Sequence, residues 1–178
     1  MKLTLNQKVL DSHLQLFEAS CVPMSIELLM KLNGNVKEDY YDLQKGKSSE
    51  KFKIEDGYGG EYNGKTIEEV TFTHRYTQGR GSSFPLDDLF KDIKDELDHG
   101  RFVLLAFENG YRYDQQGRVI GINYHGCVVY GYSEDGEFLA VTKNHNPTDP
   151  TKPTPPHYIN NIKERVIKMG GTDILCYK

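Results

Sequence analysis

Two apolar runs joined by one short turn constrain this chain more than any other feature. VIGINYHGCVVYGY at 119–132 and EFLAVTK at 137–143 have the apolar, β-branched and aromatic content of strands. Between them Ser133 to Gly136 reads SEDG, which is hairpin chemistry, so the two runs pair antiparallel. RFVLLAF at 101–107 supplies a preceding strand, and residues 165–177 are expected to add one or two closing strands. The second half of the chain therefore reads as mostly sheet.

Before Gly100 the period is helical. In CVPMSIELLMKLNG, which begins at Cys21, the residues Val22, Ile26, Leu29 and Met30 recur at spacings of three and four and share one helix face. Ser20 is the expected N-cap, Pro23 falls in the first turn where its missing N–H does no harm, and Gly34 is the stop. A second helix is expected within SFPLDDLFKDIKDELDHG, where Leu86, Leu89, Phe90, Ile93 and Leu97 make the apolar stripe. Asp87 and Asp88 stand at its favourable end, Gly100 stops it, and its acidic stripe reads as a solvated face. Residues 5–20 read as an extended lead-in with one helical turn, 34–64 as loop including GYGGEYNG at 57–64, and Thr66–Tyr76 as a strand broken off by QGRGSS. Five of the seven prolines fall in 145–157, which must be a loop or surface strap.

Charge and size remove several classes of function. With 22 Lys+Arg against 26 Asp+Glu the net charge is −4, and no long basic run offers the positive field that nucleic acid or an anionic membrane needs. No apolar stretch reaches the roughly 18 residues of a membrane span, and the first residues lack the parts of a secretory signal. The expected location is the cytoplasm, or outside it by a route without a cleavable signal peptide. Cys21, Cys127 and Cys176 are too few and too scattered for a disulfide framework and lack structural-zinc spacing, so free thiols are expected. One domain over residues 1–178 fits the length, with no internal repeat and no dividing linker.

Three residues far apart in the chain carry the chemistry. A thiol attacks as its thiolate, and the partial positive charge and free N–H groups of a helix N-terminus favour that form at Cys21. An imidazole must hold the proton and later return it to the leaving group, and His125, heading an apolar strand, is the candidate. The imidazole is then fixed in one tautomer by an acceptor on its second nitrogen, a role the Asn144 carboxamide can fill without adding charge. Gln15, shortly before Cys21, has the right amide to join the Cys21 backbone N–H in stabilising an oxyanion.

HGCVVYGYSEDGEFLAVTKNHNP resembles the His strand of papain-like cysteine peptidases: a His, an apolar run, Gly-Tyr, a second strand and a closing Lys-Asn. Around the nucleophile, CVPMSIELL is similar to the bacterial branch that includes the leader-cleaving (double-glycine) peptidases of bacteriocin exporters. The resemblance implies an α+β, papain-like fold, with an N-terminal helical lobe carrying the Cys helix packed on a curved antiparallel sheet. It implies Cys21 as nucleophile, His125 as base, Asn144 as orienting residue and Gln15 as oxyanion residue, acting on a peptide or protein substrate without cofactor or metal. The exporter peptidases more often use Asp as third member, Val22 stands where either branch has a small or aromatic residue, and His145-Asn146 replaces the Ser-Trp of the plant and lysosomal enzymes.

Other readings stay open at this level. The same triad serves glutamine deamidases, transglutaminases and amidases, and a pseudo-peptidase would keep the cleft for binding alone. Cys127 can share a strand face with His125 as a metal pair, though further ligands cannot be named. His145 is a second candidate base. His13, His74, His99 and His157 read as surface or capping residues, and Cys176 as strand packing.

Overall fold

Period-two alternation in the second half builds the frame. In the computed structural model, which describes residues 1–18, 20–46, 62–76, 85–169 and 171–178, the strands are β1 (Thr66–Ile67), β2 (Val70–Arg75), β3 (Val103–Tyr113), β4 (Val119–Tyr132), β5 (Phe138–Thr142), β6 (His157–Ile159) and β7 (Gly171–Tyr177). Among the described residues they form one sheet in the order β1-β2-β7-β3-β4-β5-β6, with every pairing antiparallel. The expected hairpin is present, with Gly136 at φ +83° closing the β4–β5 turn, a conformation that glycine reaches without a Cβ penalty.

Each face of the sheet is covered by helices. Val103, Leu105, Cys127, Val129, Phe138 and Ala140 pack with Leu89, Phe90, Ile93 and Leu97 of α4 (Leu86–Asp98) and with Ile162 and Val166 of α5 (Ile162–Met169). Their strand neighbours Leu104, Val128 and Val141 point the other way. They pack with Val9 and Leu10 of α1 (Gln7–Ser12) and with Ile26, Leu28, Leu29 and Met30 of α2 (Cys21–Leu32). A short α3 (Asp42–Lys45) lies against α2. Helices and an antiparallel sheet in this arrangement are the α+β, papain-like architecture that the resemblance implies, with α2 and its Cys21 laid against β4 and β3.

Several elements differ from expectation. Residues 162–169 are helical, and only Gly171–Tyr177 closes the sheet, because Ile162 and Val166, four apart, both bury on one helix face. The helical turn expected in the lead-in is α1, whose first turn is capped by the Asn6 side chain accepting from Val9 N–H. Glu68 and Glu69, both at positive φ, turn the chain between β1 and β2 where one strand was expected. Residues 57–61 of the expected loop and the break at 78–83 lie outside the described residues.

Candidate active site

The site begins at a helix end that is left uncapped. Cys21 is the first residue of α2 and is partly exposed, whereas Cys127 and Cys176 are buried. Ser20, the expected N-cap, makes no cap bond. Its hydroxyl instead lies 2.9 Å from Phe17 O and 2.8 Å from Gln44 Oε1, and accepts from Phe17 N–H. Without a side-chain cap, the first-turn N–H groups of Cys21 and Val22 act on the Cys21 sulfur, joined by the N–H of Gly126. Burial pushes the thiol up and these N–H groups pull it down; burial is the larger effect, so the resting sulfur is a protonated thiol.

Gly126 explains how helix and strand come so close. A Cβ on it would sit 3.1 Å from Ser25 Oγ and 3.6 Å from Cys21 O. Ser25 in turn donates to Cys21 O at 2.6 Å, fixing the carbonyl that faces the strand. The residue after His125 is thus in contact with the first turn of α2, and the register Ala106↔Gly126 and Phe107↔His125 fixes both in the sheet.

His125 lies half-buried, with Nε2 3.0 Å from Thr142 Oγ1. Burial, then the nearby His157, lower its pKa to about 4, so the ring is neutral at physiological pH. His157 pairs with Thr142 across β5 and β6 and is exposed, as the sequence suggests. Asn144 lies two residues beyond Thr142, past the end of β5, and is exposed. Its backbone N–H donates to Thr154 Oγ1, which donates to Asn144 O, while its carboxamide makes no hydrogen bond among the described residues. The place beside Nε2 that the sequence assigns to Asn144 is therefore held by Thr142, because β5 ends one register pair earlier than the residue types suggest.

Gln15 is buried, and both N–H directions of its amide are taken by the carbonyls of Phe17, at 3.0 Å, and Glu18, at 2.9 Å. In this conformation it braces the turn before Cys21 rather than presenting a donor, and its Oε1 is buried without a partner among the described residues. His145, the alternative base, donates from Nδ1 to Gln15 O at 3.0 Å and bridges the same residue.

The loop that delivers Cys21 is held by a buried polar network that sequence reading did not find. Gln44 Nε2 donates to Leu14 O at 2.9 Å and to Glu27 Oε1 at 2.7 Å, and its Oε1 accepts from Leu16 N–H at 2.7 Å and from Ser20 Oγ. Glu27 Oε2 accepts the N–H groups of Leu43 and Gln44. Burial raises its pKa to about 7 against those donors. His13, expected on the surface, is fully buried. It donates from Nε2 to Met24 O at 2.9 Å, accepts at Nδ1 from Lys31 Nζ at 2.9 Å and stacks on Tyr41. Burial, then the Lys31 charge, lower its pKa to about 3. No group of three or more His, Cys, Asp or Glu converges as a metal site among the described residues, and Cys127 is committed to the core with its thiol on Leu105 O.

A family model described as the Peptidase_C39 like family matches residues 4–170. The chain belongs to that family. Membership relates it to the papain-like cysteine peptidases, as the His-strand resemblance implies, and supports a cysteine peptidase type of function. Comparison with curated proteins and with solved structures found no match. Among the described residues no helix is long and apolar enough to cross a membrane.

Proposed function

We propose that this C39-like chain, acting as one catalytic unit, is a thiol acyl hydrolase that cleaves an amide bond in a peptide or protein, with Cys21 as nucleophile and His125 as base. The observation that carries the reading is the contact of Cys21, at the uncapped start of α2, with Gly126, the residue after His125. Both groups rest neutral, and in this reading proton transfer is coupled to attack. The thiol proton passes to the imidazole as sulfur attacks the acyl carbon, instead of a preformed thiolate waiting for substrate. The N–H groups at the start of α2 are the donors for the developing oxyanion, a contribution that reaches about 10²–10³ in rate where such donors are preorganised. The imidazolium then protonates the leaving amine, and water resolves the thioester.

Mass spectrometry after brief iodoacetamide treatment tests this reading. Cys21 is expected to be alkylated first, with Cys127 and Cys176 as buried internal controls, and Cys21→Ala is expected to abolish cleavage of a peptide panel. Ammonia release without new termini would identify a deamidase with the same nucleophile. The raised thiol and the occupied Gln15 amide also favour a second reading, a peptide-binding cleft without turnover. Cys21 labelling no faster than a free thiol, together with peptide binding, would select it.

A further inference from the structure

The hydroxyl of Thr142 is fully buried and lies at the meeting point of three polar atoms. His125 Nε2 and Gly126 O are each 3.0 Å away, and Lys143 O is 3.4 Å away. A hydroxyl has one proton and two lone pairs, and carbonyl oxygens can only accept. The proton therefore goes to Gly126 O, and a lone pair is left to accept from Nε2–H of the ring. That arrangement permits one neutral tautomer, with its proton on Nε2 and its basic lone pair on Nδ1.

We infer that Thr142 is the positioning residue of the site: a buried neutral hydroxyl, itself oriented by Gly126 O, that fixes the tautomer and plane of His125 in the place where a carboxamide or carboxylate is expected. This rests on the proposed role of His125. The device ties the base to the nucleophile through one residue, since Gly126 offers its carbonyl to Thr142 and its N–H to Cys21. A shift of Thr142 thus reaches both reacting groups. Among the described residues, Thr142 on β5 meets the ring and His157 on β6 lies close enough to act on its charge. A carboxylate in place of the hydroxyl would favour imidazolium and with it the thiolate. The neutral hydroxyl adds no charge to the site and so does not itself favour imidazolium.

Four variants in the full chain test the assignment, each checked for a native melting transition. Thr142→Ser keeps the hydroxyl and is expected to stay within about threefold of wild-type kcat. Thr142→Val keeps the shape and removes the acceptor, and kcat is expected to fall about tenfold or more with KM little changed, as for loss of one hydrogen bond of about 1.4 kcal/mol. Asn144→Ala is expected to cost less than Thr142→Val. Thr142→Asp is expected to move the acid limb of the pH–rate profile upward by a unit or more and to speed Cys21 alkylation near pH 6, as a carboxylate beside Nε2 of the catalytic base would. Nitrogen-15 chemical shifts of His125 give a readout independent of turnover: wild type and Thr142→Ser are expected to hold the Nε2–H tautomer, and Thr142→Val to show a mixture. An unchanged tautomer and pH profile across all Thr142 variants, with activity lost in Asn144→Ala, would overturn the inference. Activity surviving in Cys21→Ala would instead sink the thiol reading and leave the tautomer measurement standing.

Discussion

The two faces of the sheet do different work. Under α4 and α5 the packing is almost wholly apolar, with Leu89, Ile93, Leu97, Ile162 and Val166 closing over Leu105, Val129 and Ala140. Under α1 and α2 a comparable apolar cluster is bordered by buried polar groups: His13, Ser20, Ser25, Glu27, Lys31, Gln44 and Lys143. Dry packing is tolerant of relaxation and supplies free energy without direction. Hydrogen-bonded groups removed from water are intolerant, because each unpaired atom costs about 1–3 kcal/mol, and so they fix geometry. The polar atoms gather around residues 13–20 and the start of α2, where a displacement would reach Cys21 at once. Both faces supply apolar stability, and positioning is concentrated on the α1 and α2 face.

The largest effect that would break this division is a cavity in the dry face. Ile93→Ala removes a fully buried side chain from the α4 cluster and is expected to lower unfolding free energy by about 2–5 kcal/mol, measured by urea titration. Cys21 alkylation per folded molecule is expected to stay as in wild type. A comparable fall in alkylation at a temperature well below the transition would show that the two faces are coupled.

Next in size is a change at the seam between sheet and helix. Gly126→Val would drive its side chain into Ser25 Oγ and the Cys21 carbonyl, and such overpacking costs about 1–3 kcal/mol. Here the site is expected to suffer more than the fold: α2 must move off β4, the Gly126 N–H leaves the sulfur, and Cys21 alkylation falls at least as far as stability would suggest. Alkylation at the wild-type rate in a folded Gly126→Val protein would show that the close approach is packing alone.

The same division explains what could be read in advance. Helices α2 and α4 and the β4–β5 hairpin were legible because each repeats an apolar residue at the period of its own geometry, and the place of Cys21 as first residue of α2 was legible from the same pattern, whereas His125, expected to head a strand, lies within β4. The polar face leaves no periodic trace. Gln44 reaches back to Leu14, Leu16 and Ser20, and Lys143 donates to the carbonyls of Leu10 and Thr154. These pairings are decided by tertiary contact and not by spacing. Thr142 was missed for a related reason. Choosing Asn144 follows residue type and its order after the second strand, and the register Val128↔Val141, if continued, would indeed set residue 144 opposite His125; but β5 stops at Thr142, which falls across from Cys127 in that register and reaches the ring diagonally. Ser20 shows the converse: a cap by sequence, it is claimed by Gln44 because the buried amide offers a better-shielded partner.

The smallest predicted effect is a slope, and it separates the charged members of the positioning face. His13 and His125 have folded pKa values lowered from 6.5, to about 3 and about 4, so the stability they confer is full above pH 6.5 and is lost as pH falls. Glu27 has its folded pKa raised from 4.5 to about 7, so its contribution is full below pH 4.5 and is lost as pH rises through 7. Between pH 6.5 and 4.5 the two histidines therefore oppose one carboxyl group, and unfolding free energy is expected to fall with acidification. One uncompensated proton gives a slope of about 1.4 kcal/mol per pH unit. His13→Gln removes one of the two acid-sensitive groups and is expected to flatten the slope, whatever it costs at pH 7. Glu27→Gln removes the opposing group and is expected to steepen it. Urea midpoints at pH 6.5, 5.5 and 4.5 at constant m-value measure all three slopes. If His13→Gln retained the wild-type slope, His13 would have to take up its proton inside the fold, and its imidazole would not be the neutral, directional link from Lys31 to Met24 O that ties α2 to the turn preceding Cys21.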